Sequence, residues 1–407
     1  MSKNIAIIGG GPAGLMAAEI ISAQSGFSVT VFERKPSPAR KFLMAGRGGL
    51  NLTHSEPWDS FLEKYRDRAD VLKKPLQEFS PQSLRNWCDG LGEKTFIGSS
   101  GRVFPESFKA SPLLRAWLAR LRQQGVSLMM GHDWQGWQGD SLIFKTASGN
   151  TTFKADATLL ALGGASWPRL GSDGSWAQIL KAEGIDISPL EPANCGFAVE
   201  WSDIFRQKFS GHPLKPVIAA FKGTKIKSEI MITEKGIEGS AIYALSSVLR
   251  QALRSSDSVF LELDLKPDLT LDAIESRLKK PRGRDTFSNF LRKALNFSPL
   301  ATGLLMEHPD RKILGDYKPA ELARLIKSCP VRLYEAFSLE RAISTAGGIR
   351  FESLDQNYML AGKPGVFIAG EMLDWEAPTG GYLLQATMST AVYAAHRMMA
   401  WLESTEF

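Results

Sequence analysis

The chain has 407 residues, of which 43% are hydrophobic, a composition that suits two or three globular domains and excludes a disordered chain or a fibre. The formal net charge of +6 is a mild excess that permits an anionic ligand and does not predict a nucleic-acid partner. The three cysteines, Cys88, Cys195 and Cys329, form no CxxC motif, which argues against a disulfide framework and cysteine-ligated metals. With only five histidines as well, we predict no metal site.

Nothing in the sequence indicates a membrane partner. No apolar run approaches the ~20 residues that span a bilayer. The apolar start of the chain is interrupted by Gly9 to Pro12 and carries Glu19, so it predicts a folded element and argues against a signal peptide. A cytoplasmic location follows as the default, and the oligomeric state is left open.

The first predicted element is a βαβ unit. Residues 4–8 are an isoleucine-rich run typical of a buried parallel strand, and residues 15–23 are compatible with a helix. Residues 28–32 alternate as a second strand with Glu33 at its end. The sequence GGGPAG joins the first strand to the helix, which is the position of a dinucleotide-binding turn.

Each residue type in this turn has a physical role. Gly9 allows a tight turn, Gly11 allows the backbone to approach a pyrophosphate, and Gly14 allows the helix to pack closely on the strand. The acidic residue accepts hydrogen bonds from ribose hydroxyls and repels a 2′-phosphate, which disfavours NADP. The alternative is a tight turn without a ligand. The residues predicted to hold the nucleotide here are Gly9, Gly11, Pro12, Ala13, Gly14 and Glu33.

The segment 34–51 is basic and then rich in glycine. Flavoproteins with two dinucleotide folds often place a loop here, where cations neutralise phosphate and glycines let the backbone reach the flavin ring. The alternative is an ordinary solvated loop. The residues predicted to contact the cofactor are Arg34, Arg40, Lys41, Arg47, Gly48, Gly49 and Asn51.

Two later strands also end in glycine. The strand 157–162 follows a predicted hairpin and runs into Gly163-Gly164, and the strand 365–369 runs into Gly370-Glu371. In flavoproteins of this type the acid hydrogen-bonds the ribityl chain. Gly380-Gly381-Tyr382 then opens a helix over 383–402, whose amino terminus we expect at the N1/C2=O edge of the flavin. Three glycine-ended segments favour FAD, although each glycine pair alone is compatible with a plain turn.

These motifs together resemble the bacterial flavoprotein family described as aminoacetone-oxidase-like and FAD-binding. The resemblance covers most of the chain and implies a noncovalent FAD in an α/β, Rossmann-like two-dinucleotide-fold domain. It further implies that a β-barrel plus a helical part interrupts this domain. Leu50 replaces a cysteine and Leu383 replaces an asparagine that are frequent in the family, so the chain is similar to a divergent branch whose substrate is not carried over. The segments that carry the resemblance are GGGPAG at 9–14, 40–51, 161–174, 233–241, 345–349, 370–374 and 380–385.

The middle of the chain predicts the inserted part. Short alternating runs between 192 and 265 predict an antiparallel β domain, and helical spacing dominates residues 270–328. The basic run 279–284 is either a solvated surface or a docking face for RNA. The predicted domains are an FAD-binding domain (1–190 and 341–407), an antiparallel β domain (191–270) and a helical subdomain (271–340).

The flavin carries the redox chemistry, and the protein positions the substrate and moves a proton. We predict His54 as a base and Tyr382 beside the ring, with structural hydrogen bonding and core packing as the alternatives. Asp374 and Glu376 are candidates to bind a cationic amine. The predicted function is an FAD-dependent oxidoreductase that takes hydride from a small molecule, with an amine as one candidate and O₂ or another acceptor for reoxidation. A flavin-dependent RNA-modifying enzyme and a non-catalytic redox sensor are the alternatives.

Overall fold

The computed structural model describes residues 2–310 and 313–404. The chain divides into two units, one formed by residues up to 192 and from 344 onward and the other by residues 193–343. The predicted FAD-binding domain, at 1–190 and 341–407, differs from the first unit by two or three residues at each internal boundary, and its role in binding FAD stays a prediction. The predicted β domain and helical subdomain together fall in the second, and their separation at residue 270 stays a prediction.

The regular elements follow in chain order. The strands are β1 (Lys3–Ile8), β2 (Phe27–Glu33), β3 (Thr53–His54), β4 (Thr95–Ile97), β5 (Arg102–Pro105), β6 (Ser127–Met130), β7 (Asp133–Gln138), β8 (Ser141–Thr146), β9 (Gly149–Lys154), β10 (Ala157–Leu160), β11 (Ile187–Ala193), β12 (Phe197–Ala198), β13 (Pro213–Phe221), β14 (Thr224–Thr233), β15 (Gly236–Glu238), β16 (Val259–Asp264), β17 (Cys329–Leu333), β18 (Ser344–Ile349) and β19 (Val366–Ile368). The helices are α1 (Pro12–Ser22), α2 (Arg40–Ala45), α3 (Trp58–Leu62), α4 (Ala69–Glu78), α5 (Pro81–Gly90), α6 (Ala110–Gln123), α7 (Trp176–Ala182), α8 (Asp203–Phe209), α9 (Ser240–Leu253), α10 (Leu271–Leu278), α11 (Phe287–Leu295), α12 (Pro299–Met306), α13 (Pro319–Lys327) and α14 (Tyr382–Ser404).

A five-stranded parallel sheet organises the first unit, in the order β19-β10-β1-β2-β6. The last four residues of β1, Ile5 to Ile8, are buried, as expected for a central strand covered on both faces. Helices α1 and α14 pack against each other. α1 begins at Pro12, directly after the glycine turn, because proline suits the first helical position.

Two small antiparallel sheets complete the part of the first unit that matters for the site. The hairpin predicted between residues 142 and 155 is present as β8 and β9 of a β7-β8-β9 meander. The segment between β2 and β7, for which the sequence predicts no elements, holds β6, five helices and a three-stranded sheet in the order β3-β5-β4.

The second unit contains a six-stranded antiparallel sheet in the order β12-β15-β14-β13-β16-β17. Its two outer strands meet, because Phe197 pairs with Ala336 and the N–H of Ala198 donates to the carbonyl of Glu335 at 2.8 Å. The sheet therefore curls and closes on itself, with helix α9 packed on β13 and β14. Within the two described ranges, no helix is both long and apolar enough to cross a membrane, and the cytoplasmic location stays a prediction.

Candidate functional site

The three predicted glycine-ended strands end side by side. β1, β10 and β19 are neighbours in the parallel sheet, so their carboxyl ends lie at one edge. Gly9 has a φ of +110°, and a Cβ atom there would lie 2.3 Å from the carbonyl oxygen of Ala161. A Cβ atom at Gly370 would lie 2.8 Å from the Cβ of Ala13. The turns after these three strands therefore lie together at one edge of the sheet, and their binding of one cofactor stays a prediction.

The GxGxxG turn is tightly packed at its ends and open in its middle. A Cβ atom at Gly14 would lie 1.9 Å from the carbonyl oxygen of Gly9, so strand and helix meet there without room for a side chain. By contrast, apart from the neighbours of Gly11 in the chain, no atom of the described residues lies within 4 Å of its Cβ position. The first turn of α1 leaves N–H groups without helical partners beside this opening. The turn thus has the shape and the polarity that a pyrophosphate requires.

Glu33 ends β2 and is held by two backbone groups. Its Oε2 accepts from the N–H of Gly10 at 3.0 Å, and its Oε1 accepts from the N–H of Lys35 at 2.8 Å. Burial raises the pKa of Glu33, and these two hydrogen bonds oppose that shift. Each carboxylate oxygen can still accept another bond, so the group is oriented to receive ribose hydroxyls.

Lys41 and Glu371, both predicted to contact the cofactor, contact each other. The Nζ of Lys41 lies 2.8 Å from Oε2 of Glu371 and 2.6 Å from Oγ of Ser166. The N–H of Thr345 donates to Oε1 of Glu371 at 3.0 Å, and its hydroxyl accepts from the N–H of Ala165 at 2.8 Å. The charge of Lys41 is therefore balanced by Glu371, so Lys41 is not a free cation for phosphate.

The remaining predicted cations differ in their surroundings. Arg34 pairs with Asp173 at 2.6 Å and with Asp133 at 3.4 Å. Arg40 is half-buried at the start of α2, and no carboxylate among the described residues pairs with it. The side chain of Arg47 lies outside the described part of the structure. Among the predicted cations whose side chains the structure describes, Arg40 is thus free to meet a phosphate.

The start of α14 is attached to the segment around β3. A Cβ atom at Gly381 would lie 2.5 Å from the Cα of Thr53, so only glycine fits there. The hydroxyl of Tyr382 donates to the Glu56 carboxylate, and the hydroxyl of Tyr65 donates to the Tyr382 carbonyl at 2.8 Å. Burial and the Glu56 carboxylate raise the pKa of Tyr382. Tyr382 is therefore a neutral phenol that anchors the amino terminus of α14.

His54 stacks on the ring of Tyr382, with 5.4 Å between ring centroids. Its Nδ1 accepts from the N–H of Glu56 at 3.2 Å, and its Nε2 lies 3.0 Å from the carbonyl of Ser100. These partners assign the proton to Nε2, because Nδ1 acts as an acceptor. Both ring nitrogens are occupied, which favours a structural role. Its predicted role as a base stays a prediction.

The two acids predicted to bind an amine are already paired. The buried carboxylate of Asp374 accepts from Arg68 and, at 3.0 Å, from the hydroxyl of Ser188. Glu376 lies 3.5 Å from the guanidinium of Arg66. These pairs leave no uncompensated acid there to attract an ammonium group.

Some buried polar atoms near the predicted loops have no protein partner. A buried group without a hydrogen bond costs about 1–3 kcal/mol, so such atoms fit a site that a ligand completes. A Cβ atom at Gly163 would lie 3.6 Å from Oγ of Ser172, which places one of these atoms beside the second glycine turn. The unpartnered atoms in these segments are Oδ1 of Asn51, Oγ1 of Thr53 and Oγ of Ser172.

Ser166, Ser172 and Thr345 belong to no residue pattern that predicts a role for them. The first two lie between the glycine pair at 163–164 and residue 174, a segment that contributes to the family resemblance, and so does the segment that begins at Thr345. The segments therefore carried the signal, but it did not identify which side chains face the site. Together the residues fit a flavin dinucleotide bound across the three turns.

Comparison with known proteins agrees with this geometry. The family model described as HI0933-like protein Rossmann domain matches residues 3–397. The chain is 27% identical to the 3-dehydro-bile acid delta(4,6)-reductase of Clostridium scindens, over 98% of this chain and 99% of that protein. It is 23% identical to the ribosomal RNA dihydrouridine synthase of Escherichia coli, over 97% of each chain.

Among solved structures, the 3-ketosteroid delta1-dehydrogenase of Sterolibacterium denitrificans superposes with a TM-score of 0.55, at 12% identity, over 98% of this chain and 99% of that one. This likeness concerns the fold. The predicted α/β class with a Rossmann-type FAD domain is confirmed, and the chain is a flavoprotein of an oxidoreductase family.

Proposed function

The chain belongs to the HI0933-like Rossmann-domain family, and from this premise we propose that it is an FAD-dependent reductase of a carbon–carbon double bond conjugated with a carbonyl group. The observation that carries the proposal is the meeting of the three glycine turns at one sheet edge, open at Gly11. The names of the two relatives supply the reaction class. Both describe reduction of a double bond, in a 3-dehydro bile acid and in uridine of ribosomal RNA.

The residues toward FAD follow from the contacts above. Gly11 and the amino terminus of α1 would receive the pyrophosphate, and Glu33 would accept hydrogen bonds from the adenosine ribose. Glu371, held in place by Lys41 and Thr345, would hold the ribityl chain. The amino terminus of α14 would add a partial positive charge near the bound flavin, which would favour the reduced cofactor. Tyr382 fixes that helix end through Glu56.

Reduction of the double bond needs two electrons and two hydrogens, and one external reductant together with solvent supplies them. A two-electron donor such as a reduced nicotinamide nucleotide supplies a hydride equivalent, and solvent supplies a proton. When bound, FAD would supply the two-electron redox chemistry that links this donor to the substrate. The carbon remote from the carbonyl gains the hydride, the adjacent carbon gains the proton, and the double bond becomes single. The protein excludes water and holds the double bond in position for transfer.

Anaerobic stopped-flow spectroscopy tests the proposal. The purified holoprotein is reduced photochemically and mixed with progesterone, fumarate, a uridine-rich RNA oligonucleotide or buffer, and absorbance near ~450 nm is followed. We expect a conjugated enone to restore the oxidised spectrum at least about a hundredfold faster than buffer alone. The proposal is contradicted if the protein takes up no flavin. It is also contradicted if none of the added compounds reoxidises the reduced flavin faster than buffer does.

Reduction of uridine in RNA is the second candidate. The full-length similarity to the Escherichia coli enzyme supports it, as does the basic run 279–284 on the exposed surface of the second unit. Faster reoxidation by the oligonucleotide than by progesterone, lost as salt is raised, favours this candidate over the first.

Oxidation of an amine with O₂ as the acceptor stays a prediction from the sequence. Membership of the aminoacetone-oxidase-like branch also stays a prediction. The ion pairs of Asp374 and Glu376 count against an amine site at these residues. Reduction of the oxidised holoprotein by aminoacetone or another primary amine, in the same instrument, is the observation that favours amine oxidation.

A further inference from the structure

Three phenylalanine side chains form an accessible cluster in the first unit. Ring centroids are 5.9 Å apart for Phe96 and Phe104, 4.9 Å for Phe96 and Phe108, and 5.5 Å for Phe104 and Phe108. Phe108 is 49% exposed, and the other two are half-buried. Their rings therefore offer a contiguous aromatic surface that the protein does not cover, which we call the phenylalanine cluster.

The cluster shares its sheet face with a cation. In the β3-β5-β4 sheet, Phe104 pairs with Phe96, and Arg102 pairs with His54. Arg102 and Phe104 are two residues apart on β5, so both project from the same face, while Val103 and Pro105 are buried on the other. One face thus carries aromatic rings at one end and a guanidinium at the other.

The guanidinium of Arg102 is uncommitted. Among the described residues, no carboxylate or carbonyl forms a hydrogen bond or ion pair with it. It is close enough to lower the pKa of Tyr382, against the larger effects of burial and Glu56. Arg102 therefore lies near the start of α14 with its donors free for an oxygen atom of a ligand.

Both ends of this face touch segments assigned to the flavin. A Cβ atom at Gly49 would lie 3.4 Å from Phe108 and 3.6 Å from Phe104. The N–H of Leu50 donates to the carbonyl of Phe108 at 2.9 Å. At the other end His54 of β3, which pairs with Arg102, stacks on the ring of Tyr382 at the start of α14. The face therefore spans from the glycine-rich loop to the amino terminus of α14.

The backbone of Phe108 is also strained. Its φ is +56°, a left-handed conformation that non-glycine residues adopt at a cost and that clusters at functional sites. The turn is held by the hydrogen bond from the Phe108 N–H to the carbonyl of Pro105 at 2.8 Å. Phe108 thus combines an uncommon backbone conformation with an exposed aromatic ring.

We propose that this face is the substrate-docking site, with a flat apolar skeleton lying on the phenylalanine cluster and the conjugated carbonyl oxygen accepting from Arg102. The inference rests on the proposed function and names its substrate class. A donor at the carbonyl stabilises the negative oxygen that develops when hydride adds to the far carbon. Aromatic rings favour flat apolar partners through contact area and stacking geometry.

The surroundings favour a small apolar molecule over RNA. Lys94 and Lys109 flank the cluster, but Glu93 and Glu106 accompany them. Arg85 contacts Thr95, which pairs with Pro105 on the opposite face, so the face with the cluster has little net positive charge beyond Arg102. Binding to a phosphate backbone draws its strength from several uncompensated cations. A single guanidinium beside aromatic rings instead matches one carbonyl oxygen on an apolar skeleton.

Isothermal titration calorimetry tests the inference, because it reports binding with or without turnover and with or without flavin. Progesterone is the flat apolar enone, fumarate a small anionic alkene, and a uridine-rich oligonucleotide the RNA probe. The variants are Phe104→Leu, Phe108→Leu and Arg102→Gln. Phe260→Leu, which changes a phenylalanine that is 58% exposed in the second unit, is the matched control.

We expect progesterone to bind the parent chain, with affinity about tenfold lower in Arg102→Gln and about three- to tenfold lower in each leucine variant. The control variant keeps the parent affinity, and thermal unfolding and flavin absorbance confirm that each variant is folded and loaded. Arg102→Lys recovers part of the lost affinity, because it restores a donor.

Equal progesterone affinity in the parent chain and all three variants overturns the docking site while leaving enone reduction intact. Binding of the oligonucleotide or fumarate in place of progesterone overturns the substrate class. A chain that lacks flavin contradicts the proposed function, whereas progesterone binding to that same chain, sensitive to the three substitutions, still supports the docking site.

Discussion

The ammonium group of Lys41 lies 2.8 Å from Oε2 of Glu371, although 330 positions separate the two residues. The pair joins the loop after β2 to the turn after β19 beside the phosphate-binding turn. It is largely shielded from solvent, with 25% and 16% of the two side chains exposed. Because Lys41 compensates the charge of the Glu371 carboxylate, an anionic dinucleotide bound beside the pair would not be repelled by an unpaired carboxylate.

The pair makes a first prediction about cofactor affinity. Lys41→Met leaves the Glu371 carboxylate uncompensated near the phosphates, so we expect the dissociation constant for FAD to rise by about ten- to a hundredfold. Adding Glu371→Gln to this variant should recover part of the loss, because it removes the charge left behind. Fluorescence titration of the apoproteins with FAD measures the dissociation constants of the parent chain, the two single variants and the double variant. Lys279→Met, which breaks the exposed Lys279–Glu275 pair, is the control, and additive effects of the two substitutions argue against the coupling.

Gly11 and Gly14 make opposite predictions. Gly11 has an extended conformation with φ −82° and open space at its Cβ position, so Gly11→Ala should change the free energy of unfolding of the apoprotein by less than about 0.5 kcal/mol. The added methyl group occupies the pyrophosphate position, so FAD affinity should fall at least about tenfold.

Gly14→Ala instead places a methyl group against the carbonyl of Gly9 and should destabilise the apoprotein by about 1–3 kcal/mol or more. Chemical denaturation and FAD titration separate the two effects. Unchanged FAD binding by Gly11→Ala shows that the nucleotide lies elsewhere.

Tyr382 predicts a pH-dependent contribution to stability. Its hydroxyl donates to a carboxylate, so Tyr382→Phe should lower the free energy of unfolding by about 2 kcal/mol at neutral pH. The pKa of Tyr382 is raised above its usual value near 10, so the folded state retains the proton more strongly than the unfolded state. This stabilisation is complete below pH ~10 and is lost as pH rises through the folded-state pKa. Urea denaturation from pH 7 to 11 should show the two proteins converging; a constant difference contradicts the assignment.

The cysteines predict slow thiol chemistry. Cys88, Cys195 and Cys329 are buried and form no disulfide bond within the described residues, and burial raises the pKa of Cys88 and of Cys329 to about 12. Few thiolates form at pH 8, so we expect the native chain to react slowly with a chromogenic disulfide and all three thiols to react once it is unfolded. Rapid labelling of a native thiol indicates local opening or a different environment.

The first βαβ unit could be predicted because its signals are local. An isoleucine run, a glycine turn and an alternating run are contiguous in the sequence, and the observed strands differ from the predicted ones by one residue at either end. The helix begins at Pro12 and not at residue 15, because the proline occupies its first turn. Helix α6 also carried a usable signal, since Leu113, Trp117 and Leu121 recur at helical spacing.

The site could be predicted by segment but not by partner. Glycines and acids identify which turns meet, because strand ends determine where turns lie. The pairing of Lys41 with Glu371, and of Asp374 with Arg68, depends on side chains from segments whose approach is set by tertiary packing. The phenylalanine cluster likewise depends on the register of β4 against β5, which no local pattern specifies.

The closed sheet of the second unit also has a consequence for how the chain was assembled. Near the two ends of this unit, the N–H of Ile343 donates to the carbonyl of Asn194 at 3.4 Å, so the two ends of the unit lie close together. A domain whose termini lie close together can be inserted into a loop of another domain with little rearrangement of either domain. Deleting residues 193–343 and joining residues 192 and 344 with a short glycine–serine linker should therefore yield a smaller soluble protein that binds flavin.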